Sequence, residues 1–384
     1  MIETKINGNS ISLYIHIPFC KQKCLYCDFI SYSNKESLKK EYIKALSKEI
    51  SIVTKNRIIN TIFIGGGTPT YLSLEELKIL KRSIDEIHKD INLEFTVEGN
   101  PGTFTLEKLK LLKSMGVNRL SIGLQSFDDA LLKKLGRIHN AKEFIDSFKK
   151  ARLVGFNNIN IDLMFGLPGQ SFEVWKDTLN KVLTLKPEHL SCYSLIVEEN
   201  TPFYNMYNDG VLNLPGEDRE REMYEYCINF LAKNGYNQYE ISNFAKYNKE
   251  CRHNLVYWNM KEYLGCGVGA HSYIKGYRYK NTSLVEEYIN YMKDNSLIKI
   301  REESHKNTLE EEIEEFIFMG LRKIKGISIK EFTKRFKIDI FNLYGNIINK
   351  YVKLGFLILK KDTLKLSKEG INVSNTILSD FVLK

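Results

Sequence analysis

Short runs rich in β-branched residues, each bounded by turn residues, recur at residues 12–16, 61–65, 94–99, 119–123, 158–164 and 189–195. They have the length and composition of strands. Helical periodicities lie between them. Over residues 36–55, Leu38, Tyr42, Ala45, Leu46 and Ile50 recur at a spacing near 3.6, and Ser73-Leu-Glu-Glu76 is a capping box opening the next helix. Residues 106–115, 141–154 and 172–183 continue the alternation. Strand followed by helix, repeated six times, predicts parallel βα units and therefore an α/β fold. Six units fit a partial (β/α)6 barrel of the TIM type, whose active site lies beyond the carboxyl ends of its strands.

From residue 236 the pattern turns aromatic and glycine-rich, with Tyr236, Tyr239, Tyr247, Tyr257, Trp258, Tyr263, Tyr273, Tyr277 and Tyr279. This stretch is expected to cap the barrel. A third segment opens with capping boxes at Thr308-Leu-Glu-Glu311 and Ser328-Ile-Lys-Glu331, then carries a helix over 341–353 closed by Gly355 and two short strands around Lys361-Asp362. Three helices and a hairpin are the winged-helix order. Its third helix offers only Lys350 and Lys353, so a structural or docking role is expected rather than DNA reading. The expected domains are a barrel over 1–235, a cap over 236–305 and a winged-helix-like domain over 306–384.

Composition excludes several classes. With 43% hydrophobic and 27% charged residues the chain is an ordinary globular one. No stretch approaches the roughly 18 apolar residues of a bilayer span, and residues 1–10 lack the apolar core of an export signal, so a cytoplasmic location is expected. The net charge of +9, from 56 basic and 47 acidic residues, is spread without a basic run, so no nucleic-acid partner is expected. Three of the seven cysteines crowd into Cys20-Lys-Gln-Lys-Cys24-Leu-Tyr-Cys27, directly after the first strand. That clustering reads as a metal site rather than a disulfide framework.

Three thiolates on one loop favour soft metals. A structural zinc site would need a fourth ligand from one of the scattered cysteines, whereas a cubane held by three cysteines keeps one iron open. The CxxxCxxC spacing, with Tyr26 before the third cysteine, resembles the radical S-adenosylmethionine (radical SAM) superfamily. That resemblance implies a [4Fe-4S] cluster on Cys20, Cys24 and Cys27, with S-adenosylmethionine (SAM) on the open iron and cleavage to a 5′-deoxyadenosyl radical. Gly65-Gly66-Gly67-Thr68-Pro69 ends the second strand, where glycines let backbone approach a ligand closely. Glu98, Gln125, Arg137 and Asp162 lie at or beyond the ends of strands three to five. A carboxylate among apolar strand residues is costly without a polar partner, so Glu98 and Asp162 point to a ligand.

Tyr14-Ile-His-Ile-Pro-Phe-Cys20, the GGGTP loop and the IGLQSF and IDLMFGLPGQ segments are similar to the porphyrin-handling branch that contains oxygen-independent coproporphyrinogen III oxidase. The likeness spans residues 13–204. It implies Tyr14 near the sulfonium, Tyr26 near the adenine, and Gly66, Gly67 and Thr68 at the methionine end. Glu98, Gln125, Arg137 and Asp162 would contact the amino acid or the ribose. Two departures from the oxidase are Phe29, where it carries a further cysteine, and the short stretch of 19 residues before Cys20. His253-Asn-Leu-Val-Tyr-Trp258, an HNxxYW motif, followed by Gly265-Cys-Gly-Val-Gly-Ala-His271, instead resembles the HemW family of heme chaperones. That likeness implies heme bound through His253, with Tyr257 and Trp258 against the macrocycle and His271 as a second candidate ligand. Heme would pass to acceptor proteins, respiratory ones among them. The expected function is thus a heme chaperone on a radical SAM barrel. The alternative is oxidative decarboxylation of coproporphyrinogen III to protoporphyrinogen IX. Turnover of SAM, covalent heme attachment, contact with membrane-bound acceptors and dimerisation stay open from the residues.

Overall fold

The computed structural model describes residues 10–383. The barrel comprises β1 (Ser10–Ile17), α1 (Lys39–Val53), β2 (Ile58–Gly66), α2 (Leu74–Asp85), β3 (Lys89–Gly99), α3 (Leu106–Ser114), β4 (Arg119–Gln125), α4 (Asp129–Lys134), α5 (Ala141–Leu153), β5 (Ile159–Phe165), α6 (Phe172–Thr184) and β6 (His189–Ser194). All six expected strands form. They pair in parallel in the order β1 to β6 without closing into a full ring, as a chain of strand–helix units requires. Outward residues such as Ile15, Ile62, Val97, Ile122 and Leu163 form the main core with Leu46, Leu80, Leu109, Phe144 and Trp175 of the surrounding helices. Because side chains alternate along a strand, the intervening residues line the lumen, and many of these are polar.

After α7 (Pro202–Asn208) and α8 (Glu217–Lys233) comes the aromatic segment: β7 (Asn237–Glu240), β8 (Asn243–Ala245), α9 (Arg252–Trp258), β9 (Tyr263–Cys266), β10 (His271–Ile274), β11 (Tyr277–Asn281), α10 (Val285–Lys293), α11 (Leu297–Ile300) and β12 (Arg301–Lys306). Rather than lying over the mouth as a cap, it extends the barrel sheet at both edges. β9 runs parallel to β1, from Ser12↔Tyr263 to Ile15↔Cys266, and β8 pairs antiparallel with β6. The result is one sheet of 12 strands. An open barrel leaves β1 and β6 as edges with unpaired backbone groups, and these additions pair them. The buried Glu49 of α1 holds the β1 side, accepting from Gly267 N (2.7 Å), Asn281 Nδ2 (2.8 Å) and Tyr288 Oη (2.5 Å). α9 packs against the lumen side of β2, where His253 Nδ1 meets Thr61 Oγ1.

The third segment holds α12 (Leu309–Leu321), β13 (Ile327–Ser328), α13 (Ile329–Phe336), α14 (Ile340–Lys353), β14 (Leu357–Lys360), β15 (Thr363–Leu366), α15 (Lys368–Asn372) and α16 (Ser374–Ser379). Three helices precede a hairpin, and β13 joins it in the order β13-β15-β14. The box at Thr308 and Glu311 forms in full. At Ser328 only half forms: its Oγ accepts from Glu331 N, and the Asp362 carboxylate accepts from Ser328 Oγ (2.6 Å) and Lys330 N (2.7 Å). A carboxylate from the hairpin turn therefore fastens α13 to β14–β15. Met260 and Tyr273 share this domain's core with Phe332, Phe336 and Tyr344. Among the described residues no helix is long and apolar enough to cross a membrane.

Candidate functional site

β1 ends at Ile17, and Pro18 carries the chain out over the barrel mouth. The loop that follows is tied down at both ends. Cys20 N donates to Tyr32 O (3.0 Å) and Tyr32 N to Pro18 O (2.7 Å), while Leu25 N donates to Leu135 O and its carbonyl accepts from Phe203 N, both at 3.0 Å. Cys20, Cys24 and Cys27 consequently face one cavity of about 520 Å3 at the carboxyl ends of the strands. All three are free thiols. Burial pushes the Cys27 thiol up to about 11 and raises that of Cys20 as well. A bound metal centre would draw those protons off.

The glycine loop forms the facing wall. Gly67 N donates to Ile17 O (2.8 Å) and Thr68 N to Phe19 O (2.9 Å), which sews the loop to the exit of β1. Gly66 has φ +106°, and a Cβ there would overlap the His16 ring. No other residue type fits that conformation and that space. His16 was quoted in the sequence motif without a role. It supports this wall: its Nε2 donates to Ile30 O (2.8 Å), so its Nδ1 accepts from Tyr14 Oη (2.9 Å). Burial holds the His16 pKa down at about 4, so the ring stays neutral.

Glu98, Gln125, Arg137, Asp162 and Tyr26 all line the same cavity. Burial, then the neighbouring Asp162 charge, pushes Glu98 up to about 8. Asp162 is raised too, by burial, although it accepts from Asn160 Nδ2 (2.7 Å) and Ser121 Oγ (3.1 Å). Two carboxyl groups short of counter-charge suit a ligand bearing hydroxyl or ammonium donors. Gln125 adopts φ +69° where the β4–β5 register shifts, and its Oε1 accepts from Tyr193 Oη (3.1 Å). A non-glycine residue held there is strained by the site it serves.

Two of the expected residues stand behind the cavity lining rather than in it. Tyr14 lies outside the cavity lining, packed among His16, Phe63 and His253 with centroids at 5.9, 6.3 and 6.5 Å. Thr68 turns toward Cys20 Sγ (3.5 Å) and Asn100 Nδ2 (2.9 Å). Sequence reasoning missed Asn100, Ser121, Tyr193, Asn243 and Asn254, which also line the cavity. Asn100 could have been found at the end of β3, in Glu98-Gly-Asn100, and Asn254 inside the HNxxYW motif. Asn243 gives no such signal, since only the pairing of β8 with β6 brings it there.

His253 sits on α9 at the opposite end of the lumen and is 1% exposed. Glu94 of β3 accepts from Arg252 N (3.0 Å) and His253 N (2.9 Å), capping the helix from the barrel wall. Both ring nitrogens are engaged, Nδ1 with Thr61 Oγ1 (2.7 Å) and Nε2 with Tyr257 Oη (2.9 Å). Burial, reinforced by the Arg119 charge, lowers its pKa to about 3. Trp258 faces the C-terminal domain, with the Arg322 guanidinium 5.3 Å from its ring. His271 is exposed at the start of β10.

The residues at the mouth fit a sulfur-bound cluster better than a lone ion. A single zinc needs its thiolates at about 2.3 Å. Among the described residues no three His, Cys, Asp or Glu side chains converge tightly enough to close around one ion. Three thiols spread along one wall, a glycine cradle opposite and the partnerless Arg137 Nε leave room and donors for a larger polar group. Residues 14–182 match the radical SAM superfamily and residues 307–373 the HemN C-terminal domain. Over 377 residues the chain is 43% identical to a Bacillus subtilis (strain 168) protein named heme chaperone HemW, covering 97% of this chain and 99% of that one. The chain belongs to the HemW family of radical SAM proteins.

A mouse protein, radical S-adenosyl methionine domain-containing protein 1, is 32% identical over 96% of this chain and 86% of its own. Among solved structures, coproporphyrinogen III oxidase (HemN) from Escherichia coli superposes with a TM-score of 0.84 at 23% identity, covering 97% of this chain and 90% of that one. At that identity the match shows a shared fold. Membership of the radical SAM superfamily implies a [4Fe-4S] cluster and SAM.

Proposed function

We propose that this protein is a cytoplasmic heme chaperone. Cys20, Cys24 and Cys27 would hold the cluster, and SAM would take the cavity between them and the strand ends. Gly66, Gly67 and Thr68 would flank its methionine end, and Tyr26 its adenine. Glu98, Asp162, Gln125 and Arg137 would meet its hydroxyl and amino-acid groups. When bound, the cluster and SAM supply a carbon-centred radical. Heme would be ligated through His253 and passed to an acceptor protein. The observation that carries this reading is similarity along nearly the whole chain, at 43% identity, to a protein named as a heme chaperone.

The chemistry of His253 supports the assignment. Burial and Arg119 keep the ring neutral, and neutral imidazole is the form that ligates iron. Ligation requires the bond to Thr61 or to Tyr257 to be exchanged for iron, and α9 to yield. After anaerobic reconstitution with iron and sulfide, His253→Ala is expected to weaken heme binding roughly tenfold or more, the ~1.4 kcal/mol or more lost with one ligand bond. The cluster absorption should stay intact. Equal Soret titrations for variant and parent would overturn the ligand assignment. Adding coproporphyrinogen to the same preparation tests the oxidase alternative, which requires loss of two CO2 and formation of 5′-deoxyadenosine; an unchanged porphyrin mass is expected.

A further inference from the structure

Cys24 and Cys20 are joined by a chain of hydrogen bonds that leaves the cavity wall and returns to it. Arg137 Nη1 donates to Cys24 Sγ (3.4 Å), and Arg137 Nη2 donates to Asn100 Oδ1 (2.9 Å) and Gly123 O (2.5 Å). Asn100 Nδ2 then donates to Thr68 Oγ1 (2.9 Å), which lies 3.5 Å from Cys20 Sγ.

Elementary chemistry fixes the sense of this chain. Arginine has no acceptor, so Asn100 must present its oxygen to Arg137 and its amide N–H to Thr68. Thr68 thereby accepts, and its own O–H is free to donate. A metal-bound Cys20 is a thiolate, without a proton to give, so the Thr68 hydroxyl must point at its sulfur. A donor therefore reaches each of the two sulfurs, the buried Arg137 guanidinium at Cys24 and the Thr68 hydroxyl at Cys20. Cys27 stands outside this chain, with the backbone N–H of Phe29 and the Lys23 charge acting on it, while the Ser31 hydroxyl acts on Cys20 besides Thr68.

We propose that Thr68, Asn100 and Arg137 act together as positioning residues that set the reduction potential of the cluster, a task distinct from holding SAM. This rests on the [4Fe-4S] reading above. Adding an electron increases the negative charge on the ligating sulfurs, so donors aimed at them stabilise the reduced state more than the oxidised one. Cys20 and Cys24 would thus present the cluster with sulfurs polarised differently from that of Cys27.

The test is a redox titration followed by electron paramagnetic resonance on reconstituted parent, Thr68→Val, Thr68→Ser and Arg137→Lys proteins, with SAM affinity measured on each. Thr68→Val keeps the shape and removes one donor. At a fixed poise it should lower the ratio of reduced to oxidised cluster about tenfold, a midpoint about 59 mV more negative for a one-electron couple. Thr68→Ser should restore the parent value, and Arg137→Lys should shift the midpoint in the same direction as Thr68→Val. A normal cluster in Thr68→Val with the parental midpoint, whether or not SAM affinity falls, would overturn the inference. Failure of the parent itself to form a [4Fe-4S] spectrum would instead overturn the reading on which it rests.

Discussion

The two ends of the lumen are built from the same strands and solve opposite problems. At the mouth, thiols, two carboxyl groups with raised pKa and a guanidinium with a partnerless Nε face an open cavity. At the other end, Glu94, Thr61, His253 and Tyr257 lie in a closed network in which Glu94 takes two backbone N–H groups and each imidazole nitrogen has a partner. Polar groups inside a protein must be paired or be costly. The mouth leaves part of that pairing to a ligand, and the floor completes it with α9. A ligand can therefore enter the mouth without rearrangement, whereas any ligand of His253 would have to displace protein bonds.

That contrast can be broken by substitution, from the largest effect to the smallest. Cys24→Ala removes one of the three proposed cluster ligands and is expected to abolish the cluster absorption, while the melting temperature of the cluster-free protein stays close to that of the parent. A large fall in that temperature would show that the mouth is packed for stability after all. At the floor the expectation reverses. Glu94→Ala leaves two buried N–H groups unpaired and uncaps α9, at about 2 to 4 kcal/mol of stability, readable by urea denaturation, with cluster assembly retained under stabilising conditions. Unchanged stability would mean that α9 is not fastened by Glu94.

The smallest effect is on pH dependence. The Glu98 carboxyl is raised from its ordinary 4.5 to about 8, so between those values the folded state binds more protons than the unfolded state. Its contribution to stability is present at low pH and is lost as pH rises through about 8. Glu98→Gln should flatten that decline in thermal melts of the ligand-free protein across pH 5 to 9, and parallel curves would remove Glu98 as the source.

Much of this was legible along the chain. Short β-branched runs bounded by turn residues, with 3.6-period helices between them, placed all six βα units, because those signals are local in the chain. The cysteine spacing and the glycine run marked the mouth for a similar reason: both are short stretches bound to one strand end. The aromatic segment was less legible. It was expected to cap the barrel, and its strands lengthen the sheet at both edges, since the need to pair β1 and β6 arises only once the barrel is left open. The capping box at Ser328 forms only in part: Ser328 lies in β13, paired with Thr363 of β15, a strand distant in sequence.

The residue types and their spacing determined which chemistry this chain can host: three soft ligands on one loop, a backbone wall that only glycine can make, and an imidazole at the head of a short helix. Tertiary structure alone decided what each group faces. Thr68 and Arg137 turn toward sulfur, Tyr14 sinks below the cavity, and His253 is sealed against β2 on the inner side of α9, because the partners that fix those orientations come largely from strands and helices far apart in the chain.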